Sequence, residues 1–378
     1  GLARIEDRAD FSMEAFMPKR YTDFSGIGGE KVDSDVELYG IPALGWKAPI
    51  GESGKMWFGG GMYGTSGLGV DYEQTFMTPD ANGPAAGTPA GYFDGYSSIA
   101  FWQMAPALAW NVNDKLDVGV ALNIDYQMVS FKQRIQVDGN NDGTIDQDAQ
   151  NFDLSKGASA FGFGITIGAL YDINEDLTLG VSYKSKQSFS DLEYNLAASD
   201  MPGVASGATT APTAGKYALD LDYPQQLAAG LAYDVSDKVT VSADVKWINW
   251  KDTMDELAVE GPGGYSFAMD PGWDDQIVYA IGVQWAVNEK VNLRAGFNYA
   301  EAPIEDEDVS RNLILPAVTT THYTFGGDIK LDKHWDIGFH VMYAPEETLK
   351  APATDMMAPN VEIGMDQSSV GINLGYRF

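Results

Sequence analysis

The stretch from residue 369 to residue 378 reads SVGINLGYRF, and it decides the fold class. Apolar residues alternate with small or polar ones up to the last residue, Phe378. Such a period of two is typical of a β-strand with one apolar face. Chain ends usually fray in soluble proteins. An alternating strand that includes the final aromatic residue therefore predicts a terminus paired with another strand.

The same alternation recurs along the chain. In the segment 115–136, one face carries Leu116, Val118, Val120, Leu122, Ile124, Tyr126 and Met128, and the other face is small or polar. Short turns alternate with long Gly-, Pro- and Asp-rich loops, which predicts an up-and-down meander of about fourteen antiparallel strands. We expect single strands at residues 176–196, 216–234 and 238–260, and a loop at residues 67–97.

A membrane barrel is favoured over a soluble sandwich, whose apolar faces would point inward. The apolar faces begin and end in Trp, Tyr or Phe, as interfacial girdles do. Inside a bilayer every backbone N–H and C=O needs a partner, so the sheet must close on itself. We therefore predict one all-β domain over residues 1–378. It is a transmembrane antiparallel up-and-down β-barrel of about 14 strands in the cell outer membrane of a Gram-negative bacterium.

The composition excludes several classes of protein. The chain has 378 residues and a net charge of −30, so it lacks the basic surface that nucleic acids require. It contains no cysteine, which excludes disulfides and Cys metal sites. No apolar run reaches the length of about 18 residues that a membrane helix needs. The three histidines stand in no catalytic or metal-binding spacing, so we expect no enzymatic activity.

Several segments, in order, resemble the FadL/TodX family of outer-membrane transporters of long-chain fatty acids and aromatic hydrocarbons. Residues 159–193, SAFGFGITIGALYDINEDLTLGVSYKSKQSFSDLE, resemble the sixth and seventh strands of that family. Residues 221–257 contain a similar strand proline, Pro224, and a similar pair of tryptophans, Trp247 and Trp250. Residues 272–304 and 326–343 fit the strands that follow.

The resemblance implies passive uptake of hydrophobic small molecules, which enter an apolar lumen pocket and leave through a lateral opening in the barrel wall. It also implies a monomer without a cofactor, in contact with membrane lipid and lipopolysaccharide. Phe378 resembles the signal that the outer-membrane assembly machinery reads. Family members carry an N-terminal hatch before a stretch similar to GLAR, with which this chain begins, so we expect the barrel without its hatch.

Two other functions stay open from the residues alone. One is a general diffusion porin for polar solutes, and the other is a surface receptor or adhesin barrel that transports nothing. Porins usually have about 16 or more strands and opposed charges at a constriction. Few lysines and arginines are expected to face the lumen here, which does not favour a porin.

The third strand, MWFGGGMYGTSGLGV at residues 56–70, has six glycines in fifteen residues. Glycine weakens a strand and often marks a bulge, and in the family an inward kink lies on this strand. The predicted lateral opening involves Gly59, Gly60, Gly61, Gly67 and Gly69. The other interpretation is steric relief against a neighbouring side chain.

A ligand pocket is predicted from apolar residues that fall on the inward face. The apolar candidates are Phe101, Val129, Ile248, Val278 and Met342, and the cationic candidates are Lys184, Lys246 and Arg294. A cation would suit a ligand carboxylate. The apolar residues could equally pack against a hatch.

The loop DGNNDGTIDQD, at residues 138–148, follows the oxygen spacing of a calcium loop. The possible Ca²⁺ ligands are Asp138, Asn140, Asp142, Thr144 and Asp146. Ala149 stands where such loops place a bidentate Glu, so the sequence predicts weak calcium binding or an acidic solvated loop.

Overall fold

The structure is a computed structural model, and it describes residues 2–52, 54–79, 89–138, 144–145, 147–355 and 357–378. These residues form twenty-one β-strands and one short α-helix. Their bounds are β1 Arg8–Asp23, β2 Lys31–Asp33, β3 Tyr39–Pro49, β4 Met56–Pro79, β5 Pro89–Asn113, β6 Leu116–Val137, β7 Gln147–Asp153, β8 Ala158–Asp172, β9 Leu177–Lys184, β10 Ser188–Phe189, β11 Leu192–Leu196, β12 Gly215–Leu219, β13 Gln226–Ser236, β14 Val239–Ile248, α1 Lys251–Met254, β15 Leu257–Gly261, β16 Tyr265–Met269, β17 Gln276–Ala286, β18 Val291–Ala300, β19 Thr321–Lys330, β20 Trp335–Lys350 and β21 Glu362–Arg377.

Fourteen of these strands pair with their neighbours in one closed antiparallel ring, which confirms the predicted barrel. The ring runs through β1, β3, β4, β5, β6, β8, β9, β13, β14, β17, β18, β19, β20 and β21. The last strand closes it on the first, from the pair Arg8–Arg377 to the pair Asp23–Glu362. The alternation at the C-terminus therefore belongs to the closing seam.

The two faces of the wall follow the alternation in the sequence. On β6, Leu122 and Met128 are 48% and 53% exposed and point outward. Asn123, Asp125 and Gln127 lie between them in the sequence, point inward and are at most 1% exposed. An outer apolar surface of this kind is stable only against lipid. In the described residues, no helix is long and apolar enough to cross a membrane.

Three expected strands are shorter in the wall than the sequence suggested. The wall strands end at Lys184 and Ile248, and β13 begins only at Gln226, so residues 176–196, 216–234 and 238–260 are not single strands. Their outer parts contribute β11, β12 and β15 to a separate four-stranded sheet in the order β11, β12, β15, β16. That sheet has its own buried face, which includes Leu192, Tyr194 and Tyr217. A second apolar surface gives the same period of two, so the alternation could not reveal where each strand leaves the wall.

The expected loop at residues 67–97 was wrong. The wall continues through it, because β4 extends to Pro79 and β5 begins at Pro89. Bulges interrupt the β4–β5 ladder between Gly64 and Ser66 and again between Tyr72 and Thr75. Each bulge shifts the register and so disguises the alternation that would have identified the strand.

The two ends of the barrel differ in their interior. Short turns and both ends of the chain lie at one end, called here the short-turn end, and the long connections lie at the other, the long-loop end. The long-loop end holds a continuous apolar core that includes Phe24, Phe93, Phe131, Leu192 and Leu313. The short-turn end is lined mainly by small and polar side chains around two cavities.

Gly60 on β4 sits in a backbone conformation that other residues rarely adopt, with φ of +151°. A Cβ atom there would lie 2.4 Å from the carbonyl oxygen of Ala105. Gly67, on the same strand, has room for a Cβ, whose nearest neighbour would be the Ile99 carbonyl oxygen at 3.5 Å. Gly60 is thus required by the backbone, whereas Gly67 is not.

Replacing Gly60→Ala should destabilise the barrel by about 1–3 kcal/mol, because the new methyl group meets both strain and a backbone atom. Urea unfolding of the purified protein in detergent, followed by tryptophan fluorescence, measures this free energy. The matched substitution Gly67→Ala should change it by less than about 0.5 kcal/mol. Equal effects of the two substitutions would contradict the assigned backbone strain.

Candidate functional site

The inner cavities lie on either side of the N-terminal segment, residues 2–8. The first cavity has a volume of about 410 Å³ and is lined by Leu2, Ala3 and small residues of the wall such as Ala121 and Gly180. The second has a volume of about 800 Å³ and is lined mainly by polar and charged groups, Arg294 and Asp328 among them. Ligand pockets are typically of about 300–1,000 Å³, so either cavity has the volume of a small-molecule pocket.

Ion pairs fix residues 2–8 across the short-turn end. Arg4 reaches Asp117 at 2.6 Å and Asp172 at 2.8 Å on one side of the wall. Arg8 reaches Asp336 at 3.0 Å on the opposite side. Because the segment is tied to both sides, it divides the lumen there.

A polar group of residues lies in the middle of the lumen, and we call it the lumen cluster: Tyr63, Gln103, Asp125 and Lys184. The amide oxygen of Gln103 accepts hydrogen bonds from Lys184 Nζ at 3.0 Å and from the Tyr63 hydroxyl at 3.2 Å. The amide nitrogen of Gln103 donates to Asp125 Oδ1 at 2.7 Å. Asp125 is fully buried, and its other oxygen has no partner among the described residues. The cluster can therefore accept another hydrogen bond.

An aromatic chain connects the lumen cluster to the long-loop end. The Phe101 ring lies 5.8 Å from Lys184 Nζ and 4.0 Å, between centroids, from the Tyr223 ring. Tyr223 lies 6.3 Å from Trp250, which lies 5.1 Å from Trp273. Phe101 and Trp273 are buried, and Tyr223 and Trp250 are partly exposed, so the four rings form a continuous series of aromatic contacts.

The predicted pocket residues do not form one site. Phe101 and Lys184 lie together, and Lys246 is close enough to Lys184 for their charges to interact. Val278 faces Lys246 in the β14–β17 ladder, and Ile248 is buried at the end of β14.

The other three candidates lie elsewhere. Val129 is buried in the core of the long-loop end, where its carbonyl accepts a bond from Tyr194. Met342 lies on β20, opposite Thr324. Arg294 lines the second cavity and pairs with Asp328. It is six ladder positions from the level of Val278, or about 20 Å along the strands. The alternation in the sequence shows which face of the wall a residue lies on, but not its level along the barrel axis relative to residues of other strands.

The wall itself is incomplete between β3 and β4. Their ladder runs from Pro49–Trp57 to Ala43–Tyr63 and stops, although both strands continue. Among the described residues, the next main-chain bond across this boundary runs from the Asp35 N–H to the Asp71 carbonyl, at 2.9 Å. We call the unpaired stretch, residues 36–42 on one side and 64–70 on the other, the wall gap.

Side chains cover the wall gap. A Cβ at Gly64 would lie 3.2 Å from Ile41 Cγ2, and one at Gly69 would lie 2.7 Å from the Tyr39 hydroxyl. Ile41 and Tyr39 therefore lie directly against β4. Rotatable side chains, rather than backbone hydrogen bonds, close this part of the wall.

The five glycines predicted for a lateral opening fall into two groups. Gly59, Gly60 and Gly61 pair with residues 45–47 of β3 and lie in the closed part of the wall. Gly67 and Gly69 border the wall gap. The lumen cluster also reaches the gap, since Tyr63 forms the last β3–β4 pair.

The predicted calcium loop lies largely outside the described residues, since Asn140, Asp142 and Asp146 are not described. Asp138 is buried at the end of β6, and Thr144 is exposed. Within the described residues, no group of three or more His, Cys, Asp or Glu side chains could hold a metal ion.

A sequence profile of the outer membrane protein transport family OMPP1/FadL/TodX matches residues 10–378. The chain belongs to this family. It is 23% identical over 323 residues to outer membrane protein P1 of Haemophilus influenzae, which covers 80% of this chain and 65% of that protein. It is also 23% identical over 291 residues to the putative outer membrane protein NMB0088 of Neisseria meningitidis serogroup B, covering 71% and 59%. The chain thus spans less than two thirds of either relative.

Solved structures share the fold of this FadL/TodX protein. The Pseudomonas putida toluene transporter TodX superposes with a TM-score of 0.72 at 20% identity, covering 100% of this chain and 92% of that one. A Pseudomonas aeruginosa FadL homologue gives 0.73 at 16% identity, with the same coverage. The protein is therefore an outer-membrane β-barrel with the FadL/TodX architecture.

One loop of this FadL/TodX barrel folds inward at the long-loop end. Between β18 and β19 the 3-10 helix Asp306–Arg311 leads into buried residues 312–316. The carbonyl of Leu313 accepts a bond from Thr22 on β1, and that of Ile314 accepts one from Ser97 on β5, at 2.6 Å. We call residues 309–318 the inner loop, since it reaches from the β18–β19 connection to β1 and β5.

Asn312 and Asp355 hold the inner loop. The Asn312 amide accepts from Trp273 Nε1 at 3.0 Å and donates to the Pro271 carbonyl at 2.7 Å. Asp355 accepts from the Ser310 hydroxyl at 2.8 Å and from the Ala358 N–H at 2.7 Å. Burial opposes ionisation of Asp355, but these bonds outweigh it and lower its pKa. Their stabilisation is present above the ordinary Asp pKa and is lost as the pH falls through the lowered value.

Sequence reasoning missed the inner loop, the lumen cluster partners Gln103 and Asp125, and the covering residues Tyr39 and Ile41. One signal was available, because Pro42 in β3 has no N–H for a ladder and prolines are rare in central strands. Nothing in the local sequence distinguishes an inward loop from an outward one.

Replacing Asn312→Ala should loosen the inner loop by about 1–3 kcal/mol, because the Trp273 N–H and the Pro271 carbonyl lose their partner. We expect higher ion conductance through the barrel, measured in planar lipid bilayers. Asn195→Ala, in the exposed part of β11, is the matched control and should conduct like the unmodified protein. If the verified Asn312→Ala variant conducts ions like the unmodified protein, the inner loop does not close the lumen.

Proposed function

We propose that this FadL/TodX protein takes up hydrophobic small molecules across the outer membrane by passive diffusion. The ligand passes along the aromatic chain to the lumen cluster and leaves sideways through the wall gap. The observation that carries the proposal is the β3–β4 ladder that stops at Ala43–Tyr63 while both strands continue. Fatty acids and hydrocarbons are the substrate class that fits an apolar route into lipid.

The cost of the wall gap supports a functional role. In hydrocarbon each unpaired backbone N–H or C=O costs several kcal/mol. A continuous ladder, such as the one between β1 and β21, would avoid that cost. Ile41 and Tyr39 cover the gap with side chains that can rotate aside at little cost, so an apolar solute could pass between lumen and lipid there.

The interior is less consistent with a general porin. A porin keeps an aqueous path from end to end, whereas the long-loop half of this lumen is filled by an apolar core and by the inner loop. Leu313 and Val309 of that loop are fully buried. The solved structures that share the fold, a toluene transporter and a FadL homologue among them, agree with an apolar substrate.

Lys184 and Lys246 give the proposed pocket a cationic side. Lys184 lies against the Phe101 ring and the lumen cluster, and the first cavity begins next to it, at Ser182. A ligand could place apolar atoms on Phe101 and in the cavity, and a polar end near the two lysines.

A disulfide across the wall gap tests the exit route. The chain has no cysteine, so Ile41→Cys combined with Gly64→Cys creates the sole pair. The Cγ2 of Ile41, a position that a cysteine sulfur can take, would lie 3.2 Å from a Cβ placed on Gly64, so the two side chains are in contact across the gap. We expect the oxidised protein to lose uptake of radiolabelled toluene and oleate by about tenfold or more, and dithiothreitol to restore it.

The control is a disulfide in a closed part of the wall. Gly296→Cys with Thr324→Cys joins paired residues of β18 and β19, where a Cβ at position 296 would lie 2.7 Å from Thr324 Oγ1. This variant should transport normally in both redox states. Normal uptake through a barrel whose disulfide between positions 41 and 64 is fully formed would exclude the wall gap as the exit.

A further inference from the structure

Arg20, near the end of β1, is a buried cation. Its side chain is 4% exposed, and its guanidinium donates to the carbonyl oxygen of Val36. The guanidinium carbon lies 5.6 Å from the centre of the Tyr39 ring. Its Nε has no hydrogen-bond partner among the described residues. The side chain is thus held in place while part of its donor fork is unused.

Arg20 also has no counter-ion among the residues that the structure describes. No carboxylate of the described residues lies within 4.0 Å of it, although the chain contains 54 Asp and Glu residues. Other arginines in this structure have one, since Arg4, Arg8, Arg294, Arg311 and Arg377 each pair with an Asp. Burying a charge without a partner is strongly unfavourable. A buried arginine without a carboxylate partner in the described part of so acidic a chain points to an anion supplied from outside the chain.

The position of Arg20 connects it to the wall gap. Val36, its hydrogen-bond partner, and Tyr39, whose ring it contacts, both belong to the β3 side of the gap. The Arg20 carbonyl accepts a bond from the Ser34 N–H at 2.8 Å, next to the Asp35–Asp71 bond that ends the gap. The guanidinium therefore lies behind Tyr39, at the long-loop end of the gap.

We propose that Arg20 binds the oxyanion head group, a carboxylate or a phosphate, of an amphiphile whose apolar chain lies in the wall gap. The assignment rests on the proposed lateral route. Arginine suits it, because the guanidinium stays charged and its planar fork matches two oxygens of one oxyanion. Rotation of Tyr39 away from the gap would uncover the guanidinium and the gap together.

Lys184 is a weaker candidate for this role. Its Nζ already donates to Gln103, and it interacts with the Asp125 charge. Arg20 has no carboxylate within 4.0 Å among the described residues, and its Nε has no partner there, so an incoming oxyanion gains more at Arg20. Two sources supply such a group at this place: the carboxylate of a transported amphiphile, and the phosphate of a membrane lipid that rests in the gap.

Binding by purified variants in a non-ionic detergent tests the site. The variants are Arg20→Met and Arg20→Lys, and the control is Arg134→Met, which removes an exposed arginine. We expect Arg20→Met to bind oleate about tenfold more weakly or worse, and oleyl alcohol as before, because the alcohol has no charge to pair. Arg20→Lys keeps the charge without the fork and should fall between. The control should bind both ligands like the unmodified protein.

Native mass spectrometry separates the two sources. If Arg20→Met keeps its oleate affinity but loses a bound phosphatidylglycerol that phosphatidylcholine does not replace, the head group is the phosphate of a lipid. If neither oleate nor phosphatidylglycerol binding falls, or if oleyl alcohol binding falls as much as oleate binding, the site is overturned. Heat-dependent mobility in gels verifies folding, and Arg20→Lys carries the test if Arg20→Met does not fold.

Toluene uptake distinguishes this inference from the proposed function. Toluene has no anionic group, so cells with Arg20→Met should take it up normally, and the disulfide across the wall gap should still block it. If the disulfide leaves toluene uptake unchanged, the lateral route is refuted. If replacing Arg20 leaves oleate binding unchanged, only the anion site is refuted.

Discussion

The structure depends on one constraint: in hydrocarbon, a backbone N–H or C=O has no water to bond with and must find a partner in the protein. A sheet meets this condition only when its first and last strands pair, and β1 and β21 do so over their whole lengths. Once the ring is closed, the period of two in each strand places apolar side chains toward lipid and small or polar ones toward the lumen. The wall gap is a place where this constraint is relaxed although both strands continue, which makes it an informative part of the wall.

The interior solves a second problem, which is how to fill a wide barrel. At the short-turn end, small residues such as Gly180 and Ala121 leave room for cavities, and residues 2–8 cross the lumen on ion pairs. At the long-loop end, the inner loop and the aromatic chain fill the space instead. The apolar packing there excludes water, so a polar solute would lose its hydration on entry, whereas an apolar solute could pack against the same side chains.

The sequence predicted the features that depend on the period of two within one strand. It did not predict the features that depend on how two strands pair. The faces of β6 could be read from Leu122 and Asn123, because pleating alone decides them. The sequence could not show that residue 63 pairs with β3 and residue 64 does not, because a ladder depends on two strands. The glycine-rich strand borders the wall gap, but its composition does not distinguish Gly60, which the backbone conformation requires, from Gly69, which the Tyr39 hydroxyl approaches. The alternation placed Lys184 and Phe101 on the lumen face. It could not single out Gln103 and Asp125, because a buried polar residue has the same position in the pattern as any other lumen-facing polar residue.

The arrangement of unpaired groups follows from a trade between stability and function. Proteins lose stability where a site must stay ready for a ligand, and they hold such places with the surrounding structure. Among the described residues, the Asp125 Oδ2 and the Arg20 Nε have no hydrogen-bond partner. These groups and the unpaired ladder of the wall gap lie near Tyr39 and Tyr63. Tyr63 connects the gap to the lumen cluster, where Asp125 can accept a hydrogen bond, and Tyr39 connects it to Arg20, which can donate one. An amphiphile passing between them would meet an apolar slit with a cation at one end and hydrogen-bond acceptors at the other, so the polarity of the gap itself would orient the molecule as it leaves.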